Sequence, residues 1–199
     1  VASREAIERF VKYACTTHMS DPANILDAGI ISVNKDIFDM ANSNRDYSGM
    51  GTTFVAASLV ENHVYIANVG DSRLYLIGRD IRQITRDHSL VEDMVRMGVL
   101  EREEARTHYK KNVITKAIGV ADDKTSTPDI FEIEVENGDK LLLCSDGLTN
   151  MVEDYDIKKI VKENDSIEDA VRELIKQANE NGGKDNISAI LIEPEIGEE

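Results

Sequence analysis

The sequence has few cysteines and no long apolar run. Only two cysteines occur among its 199 residues, Cys15 and Cys144, and both stand in apolar surroundings. This pattern predicts reduced core residues in a cytoplasmic protein rather than a disulfide framework. No apolar run approaches the roughly 20 residues that a membrane-spanning helix needs. The opening stretch from Val1 to Glu5 has the character of a helix, so we expect neither a signal peptide nor a membrane protein.

Positive charge is also scarce. Lysine and arginine together number 23 against 38 aspartates and glutamates, which gives a formal net charge of -15 at pH 7. A surface this acidic repels polyanions, so we expect neither nucleic acid nor an anionic membrane as a partner. Acidity suits a site that collects divalent cations, although many proteins are acidic only for solubility.

What the sequence does contain is enough apolar material for one domain. A chain of 199 residues can bury roughly two thirds of the surface that it exposes when unfolded. The apolar fraction of 41% and the charged fraction of 31% are ordinary for a globular protein. No internal repeat, low-complexity segment or linker interrupts the pattern. We predict a single domain over residues 1–193, followed by an acidic tail at 194–199.

Apolar residues recur with helical spacing towards both ends of the chain. Residues 2–16 form one amphipathic pattern. Asp21 and Pro22 then begin a second helix, because Asp favours the N-cap and Pro favours the first helical position. This helix is predicted to end near residues 42–44. Two further helices are predicted near the C-terminus, at 155–162 and 166–179.

Between the helix pairs the apolar period changes to that of strands. Short runs with strand character follow one another from residue 53, separated by turns of two to four residues. Connections this short favour antiparallel hairpins, since a parallel pair needs a long crossover. We therefore predict a meander rather than a doubly wound sheet and, with the helices, an α+β fold. The predicted strands are 53–60, 63–69, 73–77, 81–85, 129–135, 140–144 and 187–192.

Residues 86–119 break the strand pattern. Two short helices are predicted there, at 89–97 and 101–107, on a polar surface of mixed charge. An insertion of this size between strands is commonly a functional flap, and we expect one at about residues 87–119. The pair Asp122-Asp123, which follows it, is predicted to be a solvated loop.

Three aspartates stand at the ends of predicted strands. Asp146 follows the strand at 140–144, Asp71 follows the strand at 63–69, and Asp185 precedes the last strand. Antiparallel strands bring the end of one beside the start of another, so we expect the three carboxylates to meet at one rim of the sheet. A single Ser-Asp-Gly sequence is more often an ordinary turn, and it is the recurrence of the arrangement that favours a site.

Carboxylates this close repel one another, and a divalent cation is the simplest way to offset the repulsion. An all-oxygen site suits Mg²⁺ or Mn²⁺, and the lack of Cys/His ligand spacing argues against zinc. Two such ions can lower the pKa of a water and align it for in-line attack on a phosphoryl group. The aspartates therefore point towards metal-dependent phosphoryl transfer to water.

Five short motifs occur in order along the chain. They are Gly-Met-Gly-Thr-Thr at 49–53, Ala-Asn-Val-Gly-Asp-Ser-Arg at 67–73, Thr-Arg-Asp-His-Ser at 85–89, Ser-Asp-Gly-Leu-Thr at 145–149 and Lys-Asp-Asn-Ile at 184–187. Together they resemble the metal-dependent, type 2C serine/threonine protein phosphatases in their bacterial branch, from residue 1 to about residue 193. The resemblance implies a four-layer α-β-β-α sandwich, in which two antiparallel sheets are flanked by helix pairs.

The resemblance also implies a set of metal ligands. Asp146 and Asp185 would bind the catalytic pair of Mn²⁺ or Mg²⁺ ions. Asp71, with Asp146, would contribute to a third and weaker metal site. Residues 87–119 would be the flap beside this site, which in the family influences substrate access.

Supporting roles are implied for the neighbours of these aspartates. Gly70 and Ser72 would shape the loop that carries Asp71, and Arg73 would be structural. Gly147 would leave the backbone after Asp146 free to adopt angles that other residues avoid. Asn186 would fix the loop of Asp185 through hydrogen bonds from its side chain to the backbone.

The chain departs from the family pattern at its start. Upstream of the position of Val1 the family carries a phosphate-binding arginine, an acidic metal ligand and an Asp-Gly-Met-Gly-Gly-His type stretch with a proposed general acid. We therefore expect a phosphatase domain without its N-terminal strands, with an exposed sheet edge and an activity that depends on the missing ligands. The catalytic acid stays unassigned, because no histidine stands in an equivalent context. The histidines are His18, His63, His88 and His108.

The family resemblance implies hydrolysis of phosphoserine and phosphothreonine in proteins by a water activated at a binuclear Mn²⁺ or Mg²⁺ centre. The substrates would be phosphoproteins, including those of a serine/threonine kinase, and we expect the chain to be a monomer. One alternative is a catalytically incomplete domain that keeps the fold for regulation or interaction. Another is a different carboxylate-metal hydrolase such as a nuclease, which the negative charge disfavours.

Overall fold

A computed structural model describes residues 1–121 and 126–197 of the chain. The predicted solvated loop at Asp122-Asp123 and the last two residues of the predicted acidic tail lie outside the described residues. Among the described residues, no helix is both long enough and apolar enough to cross a membrane.

Both predicted helix pairs are present. The carboxylate of Asp21 accepts a hydrogen bond from the N–H of Asn24, and Pro22 takes the first helical position. Ser166 caps the last helix in the same way, since its hydroxyl accepts from the N–H of Asp169. The helices are α1 (Ala2–Thr16), α2 (Pro22–Ser43), α3 (Leu90–Arg96), α4 (Arg102–Ala105), α5 (Asp146–Thr149), α6 (Asp154–Glu163) and α7 (Ile167–Glu180), with a 3-10 turn at Arg45–Tyr47.

The strands of the described residues form two antiparallel sheets. One sheet has the order β1-β2-β5 and the other has the order β4-β3-β6-β7. The strands are β1 (Phe54–Val60), β2 (His63–Val69), β3 (Arg73–Ile77), β4 (Ile81–Gln83), β5 (Asp129–Glu134), β6 (Lys140–Cys144) and β7 (Ala189–Ile192).

The prediction of a meander is wrong at one connection. β2 pairs with β1 and β5, whereas β3 pairs with β4 and β6, so the link at residues 70–72 carries the chain from one sheet to the other. Gly70 makes this link possible in two ways. It adopts φ +108°, which favours glycine, and it lacks the Cβ that would lie 2.4 Å from Cγ2 of Thr53. A short link therefore does not imply a hairpin here, and its course places Asp71 at the edge of the sandwich.

Three apolar layers hold four structural layers together. The first lies between the α1–α2 pair and the three-stranded sheet, the second between the two sheets, and the third between the four-stranded sheet and the α6–α7 pair. The four-layer sandwich expected from the sequence is therefore observed. Fully buried members are Ile30 and Val69 in the first layer, Ile66 and Leu74 in the second, and Leu142 and Leu174 in the third.

The prediction that both cysteines are core residues holds for one of them. Cys144 is buried in β6, whereas Cys15 is exposed near the end of α1. The reason is that the buried stripe of α1 is narrower than its apolar pattern suggests. Ile7 and Val11, on the same helix, are 57% and 53% exposed.

The packing of the third apolar layer predicts that Leu142→Ala lowers the stability of the fold strongly. Leu142 is fully buried, so the substitution leaves a cavity, and we expect the free energy of unfolding to fall by about 2–5 kcal/mol in a urea titration. Ile190→Ala, on the same sheet at a site that is 60% exposed, is the control and should cost less than about 1 kcal/mol. Equal losses for the two variants would contradict the layer assignment.

Candidate metal centre

Asp71 and Asp146 are brought together by the register of the four-stranded sheet. The ladder between β3 and β6 ends at the pair of Arg73 with Cys144, and Asp71 and Asp146 each lie two residues beyond that end. Both side chains line one cavity of about 90 Å³. Asp185 lies in the loop that leads into β7, which is the other neighbour of β6.

The electrostatics of this rim agree with that arrangement. Burial, and then the charge of Asp146, raise the pKa of Asp71 to about 6. Burial, and then the charge of Asp185, raise the pKa of Asp146. Asp146 is thus the middle member of the predicted trio, and it interacts with an acidic neighbour on each side.

The donor set fits a hard divalent cation. Within residues 1–121 and 126–197, no group of three or more Asp, Glu, His and Cys side chains is arranged to hold an ion by itself. Mg²⁺ needs less than that, because it usually binds one or two carboxylates and keeps several waters. Asp71 and Asp146, two carboxylates with raised pKa values on one cavity, are therefore enough to form part of a Mg²⁺ site. Asp185 lies near Asp146 and adds a third carboxylate.

The loop of Asp185 is fastened to the start of α5. A Cβ at Gly147 would lie 2.3 Å from the carbonyl oxygen of Asn186, so glycine is required by this close approach and not by an unusual backbone angle. Ser145 Oγ donates to that same carbonyl at 3.2 Å and accepts from the N–H of Ser188 at 3.0 Å. Asp185 Oδ1 accepts from the N–H of Asn186 at 2.7 Å. These hydrogen bonds use the backbone of Asn186, whereas the sequence analysis assigned the role to its side chain.

The loop of Asp71 is held by hydrogen bonds to Thr53 and to His88. Ser72 is buried, and its hydroxyl forms a 2.9 Å hydrogen bond with that of Thr53. The N–H of Gly70 donates to Nδ1 of His88 at 3.0 Å, and the N–H of His88 donates back to the carbonyl of Gly70 at 2.9 Å. Sequence reasoning passed over His88, and only its place in the 85–89 motif could have drawn attention to it.

His88 is held as a neutral ring. Because Nδ1 accepts from Gly70, the ring proton of the neutral form belongs on Nε2. Nε2 lies 3.2 Å from Asp129 Oδ2, an ion-pair distance, although this contact lacks the alignment of a hydrogen bond. Burial, and then the charge of Lys116, lower the pKa of His88. The neutral ring therefore remains an acceptor for the Asp71 loop.

Arg73 lines the same cavity, where a network of side chains engages its guanidinium. Its guanidinium binds both carboxylate oxygens of Asp87, at 2.9 Å and 2.7 Å, and donates to the hydroxyl of Tyr75 at 2.8 Å. That hydroxyl in turn donates to Asp154 at 3.0 Å. The contacts agree with the structural role that the sequence analysis gave to Arg73.

One part of the cavity wall carries basic side chains. Arg102, Arg106 and Lys111, all from the segment predicted to be a flap, line the cavity together with the two aspartates. A phosphate group that entered would therefore meet these cations and the carboxylates of the two aspartates within one cavity, where Arg102 is already paired with Glu92. This arrangement can hold a phosphate ester between a metal site and positive charge.

Comparisons with known proteins agree on one family. The sequence profile of Protein phosphatase 2C matches residues 3–187. Serine/threonine phosphatase stp from Listeria innocua is 44% identical over 169 residues, which are 84% of this chain and 66% of that protein. Protein phosphatase PhpP from Streptococcus pneumoniae is 43% identical over 147 residues, which are 73% of this chain and 59% of that protein. The chain thus spans less than two thirds of the length of these curated relatives.

Solved structures share the fold. Serine/threonine phosphatase Stp1 from Staphylococcus aureus superposes with a TM-score of 0.90 at 39% identity, covering 97% of this chain and 77% of that one. The catalytic domain of serine threonine protein phosphatase PstP, in complex with two manganese ions, superposes with a TM-score of 0.83 at 29% identity, covering 96% and 79%. The two-sheet architecture is therefore shared over almost the whole chain.

The close approach at Gly147 predicts that Gly147→Ala disturbs the rim. The new methyl group would meet a backbone carbonyl, so α5 or the Asp185 loop has to move, and we expect a loss of about 1–3 kcal/mol in unfolding free energy. Gly197→Ala is the control, because no atom lies within 4 Å of a Cβ there. Urea titrations of both variants measure the difference, and an unchanged Gly147→Ala protein would refute the contact.

The raised pKa of Asp71 predicts a pH-dependent cost in the metal-free chain. This carboxyl has an ordinary pKa of 3.8 when unfolded and about 6 in the fold. Between these values the fold keeps a proton that the unfolded chain has released, so stability falls as the pH rises from about 4 to about 6 and then levels off. Asp71→Asn should therefore stabilise the chain at pH 8 by about 1–2 kcal/mol, allowing for partial solvent access, and have no effect near pH 4.

Urea unfolding in a chelator at both pH values provides the measurement. Asp80→Asn is the control, since that exposed carboxylate pairs with Lys158, which lowers the pKa of Asp80. This control should give no stabilisation at pH 8. A stabilisation by Asp71→Asn that is the same at both pH values would rule out the charge explanation.

Proposed function

The chain belongs to the protein phosphatase 2C family, and we propose that it hydrolyses phosphoserine and phosphothreonine in proteins. The observation that carries the proposal is one cavity whose lining contains Asp71 and Asp146 together with the cations Arg102, Arg106 and Lys111. The curated relatives, which are named as serine/threonine phosphatases, support the same reaction class.

We assign the divalent metals of this reaction to the carboxylate rim. Asp146 and Asp185 would hold a catalytic pair of Mn²⁺ or Mg²⁺ ions, and Asp71 with Asp146 would hold a third. The manganese pair in the solved PstP domain supports two sites. Such ions supply a water nucleophile at neutral pH and a counter-charge for the phosphate.

The remaining chemistry falls to side chains of the chain itself. The Ser145 and Asn186 contacts fix the separation of Asp146 from Asp185, so the metal ligands are positioned before substrate arrives. Arg102, Arg106 and Lys111 would attract and orient the phosphate from the basic part of the cavity wall. Residues 87–119, which supply these cations, would act as a flap that influences which phosphoproteins enter.

The proposed substrates are phosphoproteins, among them those of a serine/threonine kinase, and the proposed location is the cytoplasm. A non-catalytic role in regulation or interaction is the alternative. It is favoured by one observation, namely that among the described residues the aspartates form no three-ligand cluster able to hold an ion alone. The two proposals differ in whether bound metal leads to turnover.

Asp146→Asn should abolish both metal binding and hydrolysis. We expect Mn²⁺ to bind the parent chain in calorimetry and to activate hydrolysis of a phosphothreonine peptide in the same buffer. Loss of the central rim carboxylate should lower both the affinity and the rate by about 10²-fold or more. Asp165→Asn, an exposed aspartate ahead of α7, is the matched control and should leave both unchanged.

Two outcomes would redirect the proposal. A folded parent chain that binds Mn²⁺ but does not hydrolyse the peptide would support the non-catalytic alternative. Hydrolysis that survives Asp146→Asn would show that the rim is not the metal site of this reaction.

A further inference from the structure

Asn150 stands between the carboxylate rim and the basic wall. Its Nδ2 donates to Asp146 Oδ2 at 3.0 Å, and its Oδ1 accepts from Lys111 Nζ at 3.1 Å. The main chain adds a third link, because the N–H of Asn150 donates to the carbonyl of Asp146 at 2.8 Å. All three residues line the same cavity. One amide thus connects the middle aspartate of the rim to the segment that faces it.

The chemistry of these groups permits one orientation of the amide. An ammonium group can only donate hydrogen bonds, and an ionised carboxylate can only accept them. Asn150 can therefore serve both partners only with its oxygen towards Lys111 and its nitrogen towards Asp146. Lys111 fixes the amide, and the amide in turn holds Oδ2 of Asp146.

Lys111 differs from the other two cations on its wall. Arg102 pairs with Glu92, and Arg106 pairs with Glu153. Lys111 is half-buried and makes no ion pair with any described carboxylate, although the chain is strongly acidic. Its contact with the neutral amide of Asn150 therefore does not neutralise its charge. What the contact does is hold the side chain of Asn150 in place.

We propose that Asn150 is a positioning residue for Asp146, and that Lys111 acts on the rim through Asn150. The inference rests on the proposed function in one respect, namely that Asp146 binds a divalent metal. The hydrogen bond from Nδ2 occupies one side of Oδ2 and leaves the remaining lone pairs of the carboxylate directed elsewhere. Partners that hold metal ligands in this way typically contribute about 10-fold to 100-fold in metal affinity.

Mn²⁺ calorimetry on the full chain tests this relay. Asn150→Ala removes both hydrogen bonds and should weaken Mn²⁺ binding by about 10-fold. Lys111→Met removes one hydrogen bond at similar length and should weaken binding by about 3-fold. The double variant should bind no more weakly than Asn150→Ala, because Lys111 then has nothing to act through.

The chain offers a matched control in Lys110. This lysine is exposed, and its Nζ lies 5.4 Å from the ring centroid of Tyr109. Lys110→Met should therefore leave Mn²⁺ affinity unchanged. Unfolding in a chelator verifies that each variant is folded. Steady-state hydrolysis of a phosphothreonine peptide at saturating Mn²⁺ is measured in parallel, because it separates a change in substrate binding from the change in metal affinity that tests the relay.

The outcomes separate this inference from the proposed function. Equal Mn²⁺ affinity in all variants would overturn the relay. So would a Lys111→Met substitution that raises KM, both in the parent and in Asn150→Ala, while it leaves Mn²⁺ affinity unchanged. The expected affinities without any hydrolysis would leave the relay intact and overturn the phosphatase proposal. A parent chain that takes up no Mn²⁺ would overturn both.

Discussion

The antiparallel ladder between β3 and β6 is the constraint on which the candidate site depends. It pairs Leu74 with Leu143, and both belong to the apolar layer between the sheets. A slip of one residue would turn these side chains out of that layer, so the core fixes the register. Asp71 and Asp146 lie two residues beyond the end of this ladder, so the register brings both to the same rim. The carboxylates thus face each other because of the packing of the core, although they repel one another.

The polar groups nearby do little to relieve that repulsion. The charge of Arg73 lowers the pKa of both aspartates, against the burial that raises it. Its guanidinium, however, is occupied by both oxygens of Asp87 and by the hydroxyl of Tyr75. The fold thus keeps two carboxylates together while the adjacent arginine binds other groups. The repulsion between the carboxylates remains as an electrostatic cost, and such costs are concentrated at functional sites.

Most of the elements could be predicted from the sequence because local signals and the fold agree. The bounds of β2, β3 and β6 follow from apolar runs that end at turns, and the N-cap of α2 follows from Asp21. The errors concern contacts between segments that are distant in sequence. Three examples are the change of sheet at residues 70–72, the steric need for glycine at position 147 against Asn186, and the exposure of Cys15. Each depends on which other segment packs alongside, and the spacing of apolar residues in the sequence does not reveal that. The contact between Asn150 and Lys111 spans 39 residues, and no motif signals it.

The charge of the whole chain and the charge of the cavity wall have opposite consequences for a phosphorylated substrate. A net charge of -15 repels a phosphoprotein at long range, but salt screens this repulsion over about 8 Å at physiological ionic strength. Inside the cavity the cations of the 102–111 segment can approach a phosphate directly, although Arg102 and Arg106 already pair with Glu92 and Glu153. In the proposed reaction, selection of a phosphate group would therefore depend on local contacts between this wall and the rim, and not on electrostatic steering by the surface. The mutual placement of wall and rim, which Asn150 bridges, then matters more for recognition than the total charge does.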